Sequence, residues 1–203
     1  MIKRTSKQYI EELLSSKPDW NILDLGCGYT ANKYANVICD VEDLSQIYKD
    51  KKFIRLIDKK LPFKDKEFDF VIASHVMEHV QDVNFFISEL QRITNKGYIE
   101  LPTKLEDNLV FENKSDHIWQ IDFDDVKNKL IINKRIQYIE PILTVSSIKK
   151  LNKIFRKSLV LELQWENSID YILEKVDINN ITKISIFTLF RKYISKRIRT
   201  FIR

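Results

Sequence analysis

Short apolar runs separated by polar turns dominate the first hundred residues. Ile22-Leu23-Leu25, Val37-Ile38-Cys39, Phe53 to Ile57, Phe68 to Ala73 and Tyr98 to Leu101 are each too short for a core helix and too continuous for a half-exposed strand. Such runs predict strands buried on both faces, as in a parallel sheet. Between them the apolar period lengthens. Tyr9, Ile10, Leu13 and Leu14 share one face of a helix over Thr5 to Ser15, with Thr5 or Ser6 as its cap. A second helix runs from an Asp82 cap through Arg92, with Phe85, Phe86, Leu90 and Ile93 inward and Asn95-Lys96-Gly97 as its stop. The connection after Gly28 is brief, with a turn or a one-to-two-turn helix around Ala31 to Ala35. Val41 to Lys52 reads as an irregular or short helical crossover. Strands alternating with helices and crossovers predict an α/β architecture.

The second half is less regular. Glu106 to Asp116 reads as a polar loop or short helix. Ile118 to Phe123 and Leu130 to Lys134 form a hairpin around the turn formers Asp124, Asp125 and Asn128. Ser146 to Phe155 is a helix with Ile148, Leu151 and Ile154 inward. Leu159 to Trp165 and Ile169 to Val176 are a further pair of strands, able to finish the sheet antiparallel. The tail repeats Phe187, Phe190, Ile194, Ile198 and Phe201 at helical spacing. We expect one domain over 1–183, with 103–135 inserted beyond the fifth strand, followed by a basic amphipathic helix over 184–203.

Composition changes this picture in one respect. The net charge of +5 sits in the tail, where Arg191, Lys192, Lys196, Arg197, Arg199 and Arg203 face no acid. The other 28 basic residues meet 29 acidic ones, so the body has no surplus to follow a phosphate backbone. Cys27 and Cys39 fall in or beside core strands and are expected to be reduced. No apolar leader precedes the first helix, and no run reaches the roughly 18 apolar residues of a membrane span. The expectation is a cytoplasmic protein, peripheral at the membrane if the tail engages it.

The candidate chemistry lies where the first strand ends. Asn21 to Gly28 carries Asp24 inside an apolar strand, and two of the chain's three glycines, Gly26 and Gly28, end it. A strand that turns on glycines lets backbone approach a ligand. Gly26, Asp40, Asp58, Ser74 and Glu100 all fall at C-terminal strand ends, the edge where open α/β sheets bind ligands. The third glycine of a dinucleotide fingerprint is missing, since Thr30 and Ala31 stand there, and no phosphate-loop Gly-Lys-Ser/Thr occurs. His75 and His79 do not match His-Glu-x-x-His, and no metal is expected.

In order, Leu23-Asp24-Leu25-Gly26-Cys27-Gly28, Asp40, Asp58 with Leu61-Pro62-Phe63, and Phe68 through Val80 resemble the class I S-adenosylmethionine-dependent methyltransferases of type 11. The resemblance covers about residues 19 to 102. It implies a Rossmann-like, mostly parallel seven-stranded sheet flanked by helices, here with an inserted hairpin and a basic C-terminal helix. It also implies roles in cofactor binding. Asp24 approaches the methionine amino group, and Gly26, Cys27 and Gly28 lie against the cofactor. Asp40 takes the ribose hydroxyls, and Asp58 with Lys59 meets the adenine. Ser74 and His75 lie near the transferred methyl. One departure is the connection from Gly28 to Asn36, shorter than the family's usual first helix. A weaker likeness, around Gly97 to Pro102 and Asp116 to Trp119, is to members associated with surface-polysaccharide synthesis.

His75 and His117 are the candidate bases, and Glu100, Asp116 and Trp119 the candidate acceptor-side residues. The expected acceptor is a small molecule or a sugar, glycans included, methylated on oxygen or nitrogen. The alternatives are a protein or RNA recruited by the tail, and an inactive binding protein of the same fold. The tail helix is expected to pack on its own sheet or on a second subunit, or to lie on a membrane. Nucleic acid is the less favoured partner.

Overall fold

The computed structural model describes residues 1–175 and 183–201. Its centre is a seven-stranded sheet of β1 (Ile2–Arg4), β2 (Ile22–Leu25), β3 (Val37–Asp40), β4 (Lys52–Arg55), β5 (Phe70–Ser74), β6 (Lys96–Pro102) and, further along the chain, β9 (Val160–Glu166). The spatial order is β1-β9-β6-β5-β2-β3-β4. Strands β6, β5, β2, β3 and β4 pair parallel, and β9 pairs antiparallel with both β6 and β1. This is the Rossmann-like arrangement. Alternate residues feed two cores: Leu23, Leu25, Val71 and Ala73 on one face, Ile22, Ile38, Phe70 and Ile72 on the other. Helix α1 (Lys7–Ser15) closes the second core with Ile10 and Leu14. Helix α2 (Val83–Ile93) closes the first with Val83, Ile87, Leu90 and Ile93.

The caps follow the sequence. Ser6 Oγ accepts from Tyr9 N at 3.2 Å, and Asp82 Oδ1 from Phe85 N at 3.0 Å. Beyond β6 come α3 (Lys104–Leu109) and α4 (Asn113–Asp116), then the expected hairpin, β7 (Trp119–Asp124) with β8 (Lys129–Lys134). Helix α5 (Val145–Leu159) precedes β9, β10 (Tyr171–Leu173) follows it, and α6 (Ile186–Phe201) ends the described chain.

Of the turn and the short helix left open for Ala31 to Ala35, the turn forms, at Lys33 and Tyr34. Other expectations are corrected. The segment from Ile169 does not finish the main sheet. Its described part forms β10, parallel to β8 in a separate three-stranded sheet, while Val176 lies outside the described residues. The seventh strand is instead the N-terminal Ile2–Arg4, too short to show a period. Gly97 does not stop α2. That helix ends at Thr94, and Gly97 lies inside β6, where its bare Cα admits Trp165. Phe85 and Ile154 face outward, because Val83 and Ile87 on α2 and Ile148 and Leu159 on α5 take the inner positions.

Candidate functional site

The C-terminal edge of β2, β5, β3 and β4 gathers the charged residues. Gly26 takes φ +71° and Gly28 φ +51°, so both turns of the loop need glycine. A Cβ on Gly26 would lie 2.4 Å from Val76 Cγ2, which packs the glycine loop against the turn after β5. At Gly28 a Cβ would meet nothing within 4 Å, so the backbone there faces open space. Gly28 N donates to Asp40 Oδ2 at 2.9 Å, and Glu42 N to Asp40 Oδ1 at 3.0 Å. Gly26 N and Cys27 N both donate to Cys39 O.

Asp24 is buried, and its Oδ2 accepts from Asn32 N at 2.7 Å. Burial pushes its carboxyl up to about 6, against the Asn32 N–H and the Lys51 ammonium, which favour the charged form. Burial likewise raises the Cys27 thiol to about 12, so it is a packing group and no nucleophile.

In place of a first helix, the β3–β4 crossover braces the loop. Tyr48 Oη donates to Gly28 O at 2.8 Å and accepts from Ala31 N at 2.9 Å. Lys51 Nζ donates to Ala35 O at 2.7 Å and Asn32 O at 3.2 Å. Neither residue was legible as functional from type or spacing, because the chain between them and the loop carries no pattern.

Asp24 carries a pH prediction. An unfolded aspartate ionises near pH 4. The folded group ionises at about 6, so between these values the folded state holds the extra proton. Asp24 therefore favours folding most at low pH and progressively less as pH rises to about 6, with no further change above. Asp24→Asn should remove this decline from urea unfolding curves taken between pH 4.5 and 7.5. An unchanged pH profile would count against the assignment.

Asp58 and Lys59 follow β4 and are exposed, and Asp58 lines an open groove of about 660 Å³ with Leu61, Pro62 and Phe63. Ser74 closes β5 in register with Glu100. His75, at φ +55°, is held between two carboxylates: Nδ1 lies 3.2 Å from Glu78 Oε1 and Nε2 3.3 Å from Glu100 Oε1. Burial works against its charge, but these partners outweigh it and lift the imidazole to about 10. At neutral pH both ring nitrogens are protonated, so His75 has no lone pair with which to act as a base.

Glu100 is not an open acceptor-side group. Burial would raise its carboxyl, yet His75, Arg156 at 2.7 Å and Tyr98 Oη at 2.7 Å bring it down to about 2. Arg156 also pairs with Glu162, whose Oε1 accepts from Lys7 N, so this cluster ties α5 and β9 to the start of α1.

The second candidate base, His117, sits beside His79, their rings edge to face at 4.6 Å. His117 Nδ1 is 2.6 Å from Asp107 Oδ1, and Asp107 is held in turn by Arg135 Nε at 3.0 Å and Gln120 Nε2 at 2.8 Å. His79 Nδ1 is 3.0 Å from Asp116 O. Asp116 thus contributes its carbonyl here, while its carboxylate accepts from Ser115 Oγ. Glu78 O accepts from both Ile118 N and Trp119 N, and Trp119 Nε1 donates to Val80 O at 2.7 Å, so 116–119 is clamped along the turn after β5. The Trp119 ring is not a free stacking face, because Lys134 Nζ lies 3.9 Å from its centroid. Glu78 was set aside in the sequence because its place next to the second histidine does not match His-Glu-x-x-His. Its place beside His79 was the available signal.

A methyltransferase domain family matches residues 23–99, which run from β2 into β6. Uncharacterized protein MJ0638 of Methanocaldococcus jannaschii is 30% identical over 189 residues, covering 74% of this chain and 81% of that protein. Among solved structures, a SAM dependent methyltransferase from Aquifex aeolicus is 12% identical with a TM-score of 0.44, over 78% of this chain and 87% of that one. The YcgJ protein from Bacillus subtilis is 15% identical with a TM-score of 0.40, over 48% of this chain, which spans about half (52%) of that protein. With the glycine loop, the strand-end carboxylates and the sheet order in place, the chain belongs to the class I S-adenosylmethionine-dependent methyltransferase family.

Proposed function

We propose that the protein binds S-adenosylmethionine over the C-terminal ends of β2, β3 and β4 and transfers its methyl group to an oxygen or nitrogen of a small molecule or sugar, a glycan among them. The observation that carries this reading is the pair Asp24 and Asp40 around a loop whose two glycines are both at positive φ. The donor set fits the cofactor. Gly28 leaves open the space a Cβ would take, and Asp40 can accept from ribose hydroxyls, since each carboxylate oxygen has a second lone pair beyond its loop N–H. Asp24 offers a carboxylate to a cationic amino group, and Asp58 an acceptor to the adenine amine.

The cofactor supplies an electrophilic methyl on a sulfonium. The chain's part is to align acceptor and methyl and to exclude water. The 103–135 segment, clamped to Glu78–Val80, supports a cover on the acceptor side. Calorimetry with S-adenosylmethionine and with nicotinamide dinucleotides tests the reading. Binding of the dinucleotide alone would overturn it. Mass spectrometry for a one-methyl gain over saccharides, small amines, proteins and RNA then tests the acceptor. Transfer to RNA and never to saccharides would reject the preferred class.

For the tail we propose an anionic lipid surface as its partner. Phe187 and Phe190 of α6 are 82% and 60% exposed, and Ile194 and Ile198 are exposed too; the Phe201 side chain and Arg203 fall outside the described residues. Its entry is tied down by Ile184 bridging Ile139 and by Ile186 N on Glu140 Oε2. No helix among the described residues is long and apolar enough to cross a membrane. An exposed apolar face between cations suits interfacial binding. A chain stopped after Ile184 should lose co-sedimentation with anionic vesicles while the full chain retains it. If neither form sediments and truncation breaks a dimer, the face belongs to a second copy.

A further inference from the structure

His79 and His117 meet Glu78 in a way that the binding of S-adenosylmethionine does not use. One donor atom from each of the three lies within 4.8 Å of the others. The three residues come from two segments held together by backbone: Ile118 N and Trp119 N on Glu78 O at 2.8 and 3.1 Å.

Each histidine's tautomer is set by its neighbour. A backbone carbonyl only accepts, so His79 Nδ1 at 3.0 Å from Asp116 O must carry the proton. Asp107 Oδ1, braced by Arg135 and Gln120, holds the proton of His117 Nδ1 in the same way. Both rings therefore keep their lone pair on Nε2. An imidazole whose far N–H is fixed by a carboxylate or carbonyl is the arrangement that orients metal-ligating histidines.

The third observation is independent of the rings. Glu78 is 1% exposed, its Oε1 lies on His75, and its Oε2 has no hydrogen-bond partner. A buried carboxylate oxygen with no protein donor needs a water or an ion, and the two imidazole lone pairs beside it favour the ion. The neighbouring His75 serves only one of its two oxygens.

We propose that Glu78, His79 and His117 form a site for a borderline divalent transition-metal ion of the Zn²⁺ kind, with at least one coordination position open to the acceptor's hydroxyl. Two nitrogens and one carboxylate oxygen are the donor set of three-ligand zinc sites that leave a fourth position open. Tetrahedral ligands on zinc stand about 3.4 Å apart, so donors lying within 4.8 Å of one another close inward by at most about 1.4 Å on binding. The role of the ion rests on the methyltransferase reading. Val76 packs on Gly26, which brings this turn to the glycine loop. A hydroxyl on the ion would release its proton to water more readily. Its oxygen would then bond to the methyl carbon as the carbon–sulfur bond breaks and the electron pair returns to sulfur, leaving a neutral thioether.

Metal binding can be tested without methyl transfer. Equilibrium dialysis of the full chain with Zn²⁺, and visible absorption with Co²⁺, should show one ion per chain. His79→Ala and His117→Ala should each weaken Zn²⁺ at least about tenfold to a hundredfold, and Asp107→Asn somewhat less. The melting temperature of metal-free His79→Ala should match the parent, since that ring is exposed, while added Zn²⁺ should stabilise the parent only. No stoichiometric binding by the parent, or equal binding by parent and both histidine variants, would overturn the site. Calorimetry with S-adenosylmethionine before and after chelation separates the two readings. Metal binding without cofactor binding would remove the methyltransferase role and keep the site. Cofactor binding with no metal bound by the parent would do the reverse.

Discussion

Asp40→Ala should weaken S-adenosylmethionine binding about a hundredfold in calorimetry while leaving the sheet folded. The carboxylate has two jobs at the end of β3. It anchors Gly28 N at 2.9 Å and Glu42 N at 3.0 Å, which holds the glycine loop in its turn. Its remaining lone pairs point the proposal to the ribose hydroxyls. Hydrogen bonds to a charged group contribute roughly 1.5–3 kcal/mol each, and about 1.4 kcal/mol is tenfold in affinity. Losing two, with partial replacement by water, gives the hundredfold figure. Asp40→Asn keeps one acceptor oxygen and should lose about tenfold by the same arithmetic. A dissociation constant unchanged in Asp40→Ala, with circular dichroism showing an intact fold, would reject the ribose assignment.

The parallel heart of the fold was legible because its signals are local. Runs such as Val37-Ile38-Cys39 and Phe70-Val71-Ile72 are apolar on both faces, and the structure places alternate members in two separate cores. Asp82 and Ser6 were legible as caps for the same reason. What escaped reading depends on partners far along the chain. Ile2–Arg4 becomes a strand only because β9 offers an edge, with Ile2 opposite Trp165. Ile172 belongs to β10 because Ile131 lies beside it.

The site divides in the same way. Gly26, Gly28, Asp24 and Asp40 lie within one strand–turn–strand unit, so their spacing carries their geometry. His75 looked like a free base in the sequence, and only the fold brings Glu100 to its far nitrogen. His117 reads as the second candidate base, and only the fold closes Asp107 and His79 around it. Two histidines 38 positions apart share no sequence period, and the backbone bonds from Ile118 and Trp119 to Glu78 are what make them neighbours.

Gly97→Ala should be the most destabilising single methyl in the chain's centre, lowering the melting temperature by about 10 °C. Gly97 lies in β6, between β5 and β9, in register with Val71 on one side and Trp165 on the other. An added Cβ would stand 2.0 Å from Trp165 Cη2 and 2.4 Å from the Val71 carbonyl oxygen. Trp165 is fully buried, so its ring cannot swing to solvent, and the carbonyl belongs to the parallel ladder. Overpacking of this kind costs about 1–3 kcal/mol when neighbours can shift and more when one is backbone. At roughly 2–4 °C per kcal/mol for a domain of this size, a cost of about 3 kcal/mol gives the stated shift. Trp165→Leu opens space on one side only. The same Gly97→Ala change made in the Leu background should therefore cost less, and the two changes should be non-additive by about 1 kcal/mol or more. Thermal melts of the four proteins in that cycle decide the matter. A Gly97→Ala protein that melts within 2 °C of the parent, or strict additivity in the cycle, would show that Trp165 does not occupy the space Gly97 leaves.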